Sequence, residues 1–359
     1  MNTNAHNFSF LNPIEIPHPR VIFSPFFSQD IALDLGTANS LVYVKRRGIV
    51  LNEPSLVAVD AQTHEVLAVG SAAKEMYGKT GESIRCVRPM KDGVIADCEM
   101  TQLMIRHMIQ SVRRGISLYK PRIVIGVPAG TSQVEKRAVI DAAKSSDIGA
   151  IYLVEEPMAA ALGAGLPVEQ AVANMIVDIG GGTTEVAIIS GNGTLYSQSI
   201  RVAGDEMDQA IQRLIRRELH LQIGVFEAER IKIVLGSALP FGEERQEHVT
   251  GRDVATGMPI QHMITDTSIR AALTPAIEAI ISSICTGLEQ TSPETARDII
   301  NRGIYLAGGG ALLSGLAERL YRETGIKFYR VQDPLTCVVR GIGRVVENLK
   351  EMQQVCISS

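Results

Sequence analysis

The chain has 359 residues, of which 45% are apolar and 21% charged, and its net charge is -4. That length allows two domains with separate cores, since single cores stop growing near ~250 residues, and the balance of 35 basic against 39 acidic side chains gives no electrostatic reason to expect nucleic acid as a partner. Five scattered cysteines without C-x-x-C and seven scattered histidines without H-E-x-x-H argue against a disulfide framework or a zinc site, though not against a metal carried by a ligand.

The first 29 residues hold Phe8, Phe10, Phe23, Phe26 and Phe27 among four prolines, Pro13, Pro17, Pro19 and Pro25. Prolines occupy the place where a signal peptide needs its apolar helix, and no run reaches the ~18 apolar residues of a spanning helix. A cytoplasmic protein with an N-terminal extension is expected. From Asp30 the pattern becomes regular: "IALDLGTANSLVYVKRRGIVLNEPSLVAVD" reads as three short strands. "MTQLMIRHMIQSVRR" reads as an amphipathic helix, and "RIVIGVPAG" as a buried strand. "TSQVEKRAVIDAAKSS" follows as a helix opened by a Ser132/Glu135 capping box. "IYLVEEPMAAALGAG" repeats strand then helix, and such alternation indicates an α/β fold.

The scheme restarts near residue 174 with three more strands in "MIVDIGGGTTEVAIISGNGTLYSQSIRVAG" and a helix in "DEMDQAIQRLIRREL". A polar stretch from about Phe226 to Asp266 reads as an insertion. A helix starting at Pro275, a strand "GIYLAGG" and a helix from Leu312 complete the scheme. Two similar halves are therefore expected, and the first turn of each carries Asp, Gly and Thr: "LDLGTANS" and "VDIGGGTTE".

Glycines in a tight turn leave backbone N–H groups uncovered, and such groups bind phosphate oxygens. Gly180, Gly181 and Gly182 supply that backbone, and Thr183 and Thr184 can add hydroxyl donors. Asp34 and Asp178 would repel phosphates unless a divalent cation stood between, and magnesium reaches proteins through one or two carboxylates and water. A mere flexible hairpin is the alternative, and two matched turns weigh against it. "GKT" at Gly78 is no P-loop, because Ala73 occupies the required glycine position. Gly308, Gly309 and Gly310 could approach a ribose or phosphate at a helix N-terminus, or could simply pack. Glu155 or Glu156 could orient water for attack on a terminal phosphate, or could only cap a helix.

The order of "DLGT", "DIGGGTTE" and "AGGGALLSG" resembles the phosphate and adenosine motifs of actins, chaperone ATPase domains and sugar kinases. The chain is closest in motif to the MreB family of bacterial actins, through "DLGTANS", "RPMKDGVIAD", "EEPMAAALGAGLPV", "VAGDEMD", "ERIK" and "DPLTCVVRG", from about Asp30 to Asn348. The resemblance implies an actin-like two-domain ATPase fold, each half a three-layer α/β/α ribonuclease-H-like unit with a smaller insertion. The implied divisions are a 1–29 extension, domain I at 30–166 with an insertion near 56–97, domain II at 167–333 with an insertion near 207–271, and a 334–359 return to domain I. It implies ATP and magnesium as ligands. Asp34 and Asp178 would organise the metal through water, and Glu156 with Thr183 would activate water. Gly36, Thr37, Ala38, Asn39, Gly180, Gly181, Gly182 and Thr183 would hold phosphates. Gly204, Asp205, Glu206, Glu229, Lys232 and Gly308 to Gly310 would complete the nucleotide site. Val234 departs from the acid that family members often carry after "ERIK".

That resemblance further implies slow ATP hydrolysis and antiparallel paired protofilaments on the inner face of the cell membrane. Such filaments guide wall synthesis, shape or division with RodZ-type adaptors and elongation proteins. A small-molecule kinase would need an acceptor pocket with an aspartate base, and a chaperone module would feed a peptide-binding domain; neither has a motif here. Phe23, Phe26 and Phe27 in the leader, and Leu118 and Tyr119 between basic residues, are candidate membrane contacts.

Overall fold

In the computed structural model of the chain, residues 30–113, 120–146 and 148–357 are described. The five candidate membrane residues, Phe23, Phe26, Phe27, Leu118 and Tyr119, lie outside them. Strands β1 (Ile31–Leu35), β2 (Asn39–Val44) and β3 (Gly48–Pro54) form an antiparallel meander. A small unit follows: β4 (Val57–Asp60), β5 (Val66–Val69), α1 (Ser71–Met76) and β6 (Ile84–Val87), then the hairpin β7 (Met90–Lys91) and β8 (Val94–Ile95). The first half closes with α2 (Cys98–Val112), β9 (Arg122–Val127), α3 (Gln133–Lys144), β10 (Ala150–Glu155) and α4 (Glu156–Gly163).

The second half opens with the meander β11 (Asn174–Ile179), β12 (Thr184–Ser190) and β13 (Gly193–Ile200), followed by α5 (Gly204–Leu219). Then come β14 (Leu221–Gln222), α6 (Val225–Leu235), β15 (Gln246–Asp253) and β16 (Pro259–Thr265). Helices α7 (Asp266–Glu289) and α8 (Pro293–Arg302) lead to β17 (Ile304–Ala307), α9 (Leu316–Thr324), β18 (Phe328–Arg330) and α10 (Cys337–Glu347).

The two large sheets have one topology. The first runs β3-β2-β1-β9-β10 and the second β13-β12-β11-β17-β18. In both, the opening strand is antiparallel to its hairpin partner and parallel to the strand that returns beside it. The repeat read from two short motifs therefore extends through ten strands.

Strand alternation divides each sheet between two cores. Ile31, Leu33 and Leu35 enter a core shared with α2 and α3, whereas Ala32 faces α4 and α10. On β11, Val177 and Ile179 enter the core of α5 and α7, and Ile176 faces α4. Helices α4 and α10 thus lie between the sheets, in one apolar core that draws on both halves. Each fully buried Ile or Leu there contributes about 1.5–3 kcal/mol.

Some local expectations change. Val57–Asp60 leaves the main sheet for the small β5-β4-β6 sheet, so the first stretch contains a fourth strand. Helix α7 starts at Asp266, capped by Thr265, and carries Pro275 in its interior instead of at its start. Its length and apolar composition would also suffice to cross a membrane, yet Ile269, Leu273, Ile277, Ile280 and Ile284 are buried in the second half's core. Gly309–Leu312 is a 3-10 turn, and α9 begins only at Leu316. Gly308 to Gly310 therefore do not open an α-helix.

Candidate functional site

Parity along β1 and β11 decides where the two aspartates go. Asp34 shares a face with Ala32, and Asp178 with Ile176. Both acids consequently project from strand ends towards the space between the halves, 9% and 6% exposed. They line a cleft together with Gly36, Thr37, Ala38, Asn39, Glu156, Gly180 to Thr183 and Gly308. A wider space joins it through Ala38, Asn39, Gly180, Gly181 and Leu335. Glu156, from the first turn of α4, lines the narrow part; Glu155 does not.

The glycine turns face one another closely. A Cβ on Gly181 would stand 2.9 Å from Ala38 Cβ, and one on Gly182 would stand 2.6 Å from Thr37 Oγ1 and 2.9 Å from Asp92 Cα. Backbone N–H groups of the second turn can approach a ligand only because no side chain intervenes. Gly180 N–H is spent on the turn itself, donating to the Thr183 carbonyl at 2.9 Å. Thr183 lines the cavity, whereas Thr184 hydroxyl donates to the Val202 carbonyl at 2.7 Å and supplies no donor to the cleft. Gly308, at φ 76°, has its missing Cβ against Asp178 Oδ1 and the Ile179 carbonyl. Packing against β11 thus requires glycine there, while Gly309 and Gly310 line the wide space.

Asp92 and Gly93 were given no role by the sequence reading. Both have positive φ, 51° and 76°, in the turn of the β7–β8 hairpin. Gly93 N–H donates to Thr37 Oγ1 at 3.2 Å, and its missing Cβ faces Thr183 Cγ2 at 2.8 Å. The hairpin is wedged between the two glycine turns. An Asp-Gly pair between two short extended segments is the hairpin signal that marks it.

Four carboxyls gather where the halves meet. Burial raises Asp34 to about 7, with Asp178 adding to the effect, and burial raises Asp178 to about 7. Glu156 is raised well above its usual range by burial and by Glu185, Asp34 and Asp178. Glu185, 1% exposed and opposite Asp178 in the β11–β12 pair, is raised to about 8, chiefly by burial. Its Oε2 accepts from Ala129 N–H of the other half at 2.9 Å, and its Oε1 is buried without a hydrogen-bond partner. Sequence reading missed Glu185 because one acid in an apolar strand resembles an exposed strand face. Among the described residues no three acids, cysteines or histidines are arranged to hold a metal by themselves. The donor set fits magnesium, which keeps several waters and uses one or two carboxylates beside substrate phosphates.

The wide end is charged differently. Lys232 Nζ lies 2.9 Å from Asp208 Oδ1 and donates to the Gly204 carbonyl at 3.0 Å. Burial raises Asp208 to about 6 while Lys232 opposes the rise. Glu229 and Asp205 line the same space, as do Gly204 and Val234. Glu206 instead pairs with Arg213 at 2.6 Å on the α5 surface. Asp208 was also missed; it lies one helical turn beyond Gly204, on the same face as Asp205. Phe241, with the Arg245 guanidinium 3.8 Å from its ring centre, completes the rim.

Comparison with known proteins agrees with this geometry. The pattern of the MreB/Mbl protein family matches residues 28–354. The cell shape-determining protein MreB of Escherichia coli K12 is 48% identical over 330 residues, covering 90% of this chain and 95% of that protein. The cell shape-determining protein Mbl of Bacillus subtilis 168 is 42% identical over 326 residues, covering 91% and 98%. Among solved structures, MreB5 of Spiroplasma citri bound to AMPPNP superposes with a TM-score of 0.85 at 37% identity, covering 90% of this chain and 97% of that one. The MamK double helical filament gives 0.77 at 25% identity, covering 89% and 99%. With the family pattern spanning nearly all of the described residues and both sheets repeating one topology, the chain belongs to the MreB/Mbl family and has the two-domain, actin-like α/β fold.

Proposed function

We propose that the protein binds magnesium ATP between its halves, hydrolyses it slowly and polymerises into filaments on the inner face of the cell membrane. There it organises peptidoglycan synthesis, and with it cell shape or division, through adaptors of the RodZ type and wall-elongation proteins. One observation carries the reading: two matched glycine turns face each other around buried carboxyls whose charge no basic side chain among the described residues offsets. A polyphosphate with its cation supplies what that arrangement lacks. The nucleotide complexes of MreB5 and the MamK filament support the ligand class and self-assembly.

Asp34 and Asp178 would hold magnesium through water, and the metal would neutralise phosphate charge. The glycine turns, with Thr37 and Thr183, would fix the phosphates. Glu156 lines the narrow part of the cleft beside both aspartates, and it would take the proton from attacking water. Thr183 would orient that water. The wide end, with Glu229, Lys232, Gly309 and Gly310, would take the nucleoside.

Purified protein should sediment and show filaments by negative stain with ATP, and few without it. Asp178→Ala should lose nucleotide binding. Glu156→Ala should keep binding and slow hydrolysis by roughly ten- to ten-thousand-fold. A chain that stays monomeric at tens of micromolar with ATP and lipid, yet turns ATP over only when a sugar is added, would replace this reading with a kinase.

A further inference from the structure

The small β5-β4-β6 sheet belongs by sequence to the first half, but the second half completes its core. Leu56, Ala58 and Ala73 are its buried side chains, and Phe226 from the first turn of α6 packs onto them beside Tyr77. The two rings meet edge to face, with centroids 5.3 Å apart at 71°. Lys74 Nζ stands 4.6 Å from the centre of the Phe226 ring and 3.9 Å from Glu229 Oε2, one turn farther along α6. Nearby, Arg88 Nη1 lies 3.3 Å from Asp205 Oδ1. Glu229 and Asp205 both line the wide end of the cleft.

These contacts differ in strength. Lys74 and Glu229 are 44% and 38% exposed, and solvent leaves such a pair little net attraction. Phe226 instead supplies a large, half-buried ring to a small core of Leu56, Ala58 and Ala73 edged by Ala68, Met76, Ile84 and Cys86, with an edge-to-face partner and an ammonium at its face. Separating α6 from the small sheet therefore means withdrawing that ring and wetting the core beneath it.

We propose that Phe226 is a positioning residue for the nucleotide. Seated in the first half's small core, it clamps α6, and with it Glu229 and Lys232, against the wide end of the cleft. Its withdrawal sets the rate at which nucleotide leaves. This rests on the nucleotide reading above. Phe226 does not line the cleft, so it bears on release and not on the hydrolytic step.

The test uses the full chain, kept below its assembly concentration and loaded with 1,N6-etheno-ATP, which is then chased with excess ATP in a stopped-flow instrument. F226A should release the probe about tenfold faster, with F226L in between, while single-turnover hydrolysis stays within about twofold. The chain has no tryptophan, so F226W supplies a single reporter that should emit as a buried indole and resist iodide quenching with nucleotide bound. Wild-type release rates in F226A and F226L would overturn the proposal. So would an indole at 226 that iodide quenches as readily as free tryptophan with nucleotide bound, an outcome that decides the matter even if F226A fails to fold. A wild-type chain that retains no etheno-ATP would count against the nucleotide reading itself, whereas the F226W emission of the free protein still reports whether the ring is seated.

Discussion

Asp34 and Asp178 lie at about 7, against 3.8 for an ordinary aspartate, because burial disfavours their charge. Between those values the folded chain holds protons that the unfolded chain has released, so stability falls as pH rises from about 4 to about 7 and stays lower above. Thermal unfolding of the nucleotide-free protein should show that decline over pH 5–7.5. Asp178→Asn, which removes one of the buried charges, should flatten it and raise Tm at pH 7.5 by roughly 1–2 °C for each kcal/mol relieved. A Tm in Asp178→Asn that falls with pH as steeply as in the wild type would show that these carboxyls do not govern it. The two aspartates were legible in sequence because each ends an apolar strand before a glycine turn. Glu185, Asp208 and Asp92 were not, since what gives each its place in the cleft, Ala129 N–H, Lys232 and the Gly182 turn, comes from another element.

Helices α4 and α10 cross at backbone contact. A Cβ on Gly163 would meet the Cys337 carbonyl, and one on Gly341 the Ala159 carbonyl; Cys337 Sγ donates to the Ala160 carbonyl at 3.2 Å in the same crossing. Gly341→Ala must push the helices apart, at a cost of about 1–3 kcal/mol or more. It should also move Glu156 at the head of α4, so hydrolysis should slow together with the loss of stability. Denaturant midpoint and single-turnover rate, measured on the same preparation, check both; a stable variant of normal rate would contradict the crossing. Local chemistry made some elements readable: the Ser132/Glu135 capping box is formed as its spacing predicts. It misled at Pro275, where burial along α7 outweighs the roughly 3 kcal/mol that an interior proline costs a helix. Helix α8, with Ser292 as its cap and Pro293 at its first position, carried a start signal that was passed over because its apolar stripe is short.

At the scale of the molecule, membrane attachment would follow assembly. Two or three apolar side chains from the leader or from residues 114–119 would give each subunit only a few kcal/mol, and a filament would multiply them. The intact chain should float with anionic liposomes when ATP is present. A chain starting at Ser28 with Leu118→Ser and Tyr119→Ser should form filaments yet stay in the aqueous fraction, and its flotation at intact levels would refute the assignment. Of the whole fold, the duplication was visible in two motifs, but how the halves share one core was not, because α4 reads simply as an apolar helix and the α10 stretch only as part of the 334–359 return to domain I. Those helices are also each other's counterparts: α4 follows β10 through Glu156-Pro157, and α10 follows β18 through Asp333-Pro334. Their contact is reciprocal, glycine of one against carbonyl of the other, as across a molecular dyad. The counterparts have diverged in chemistry, for Glu156 enters the cleft while Asp333 accepts from the Thr336 hydroxyl at 2.6 Å in its own turn. A pseudo-symmetric scaffold would thus hold an asymmetric ligand, with Glu156 as the proposed water-activating acid on one side. Turning one half against the other about that crossing would part the small sheet, carried by the first half, from α6, carried by the second.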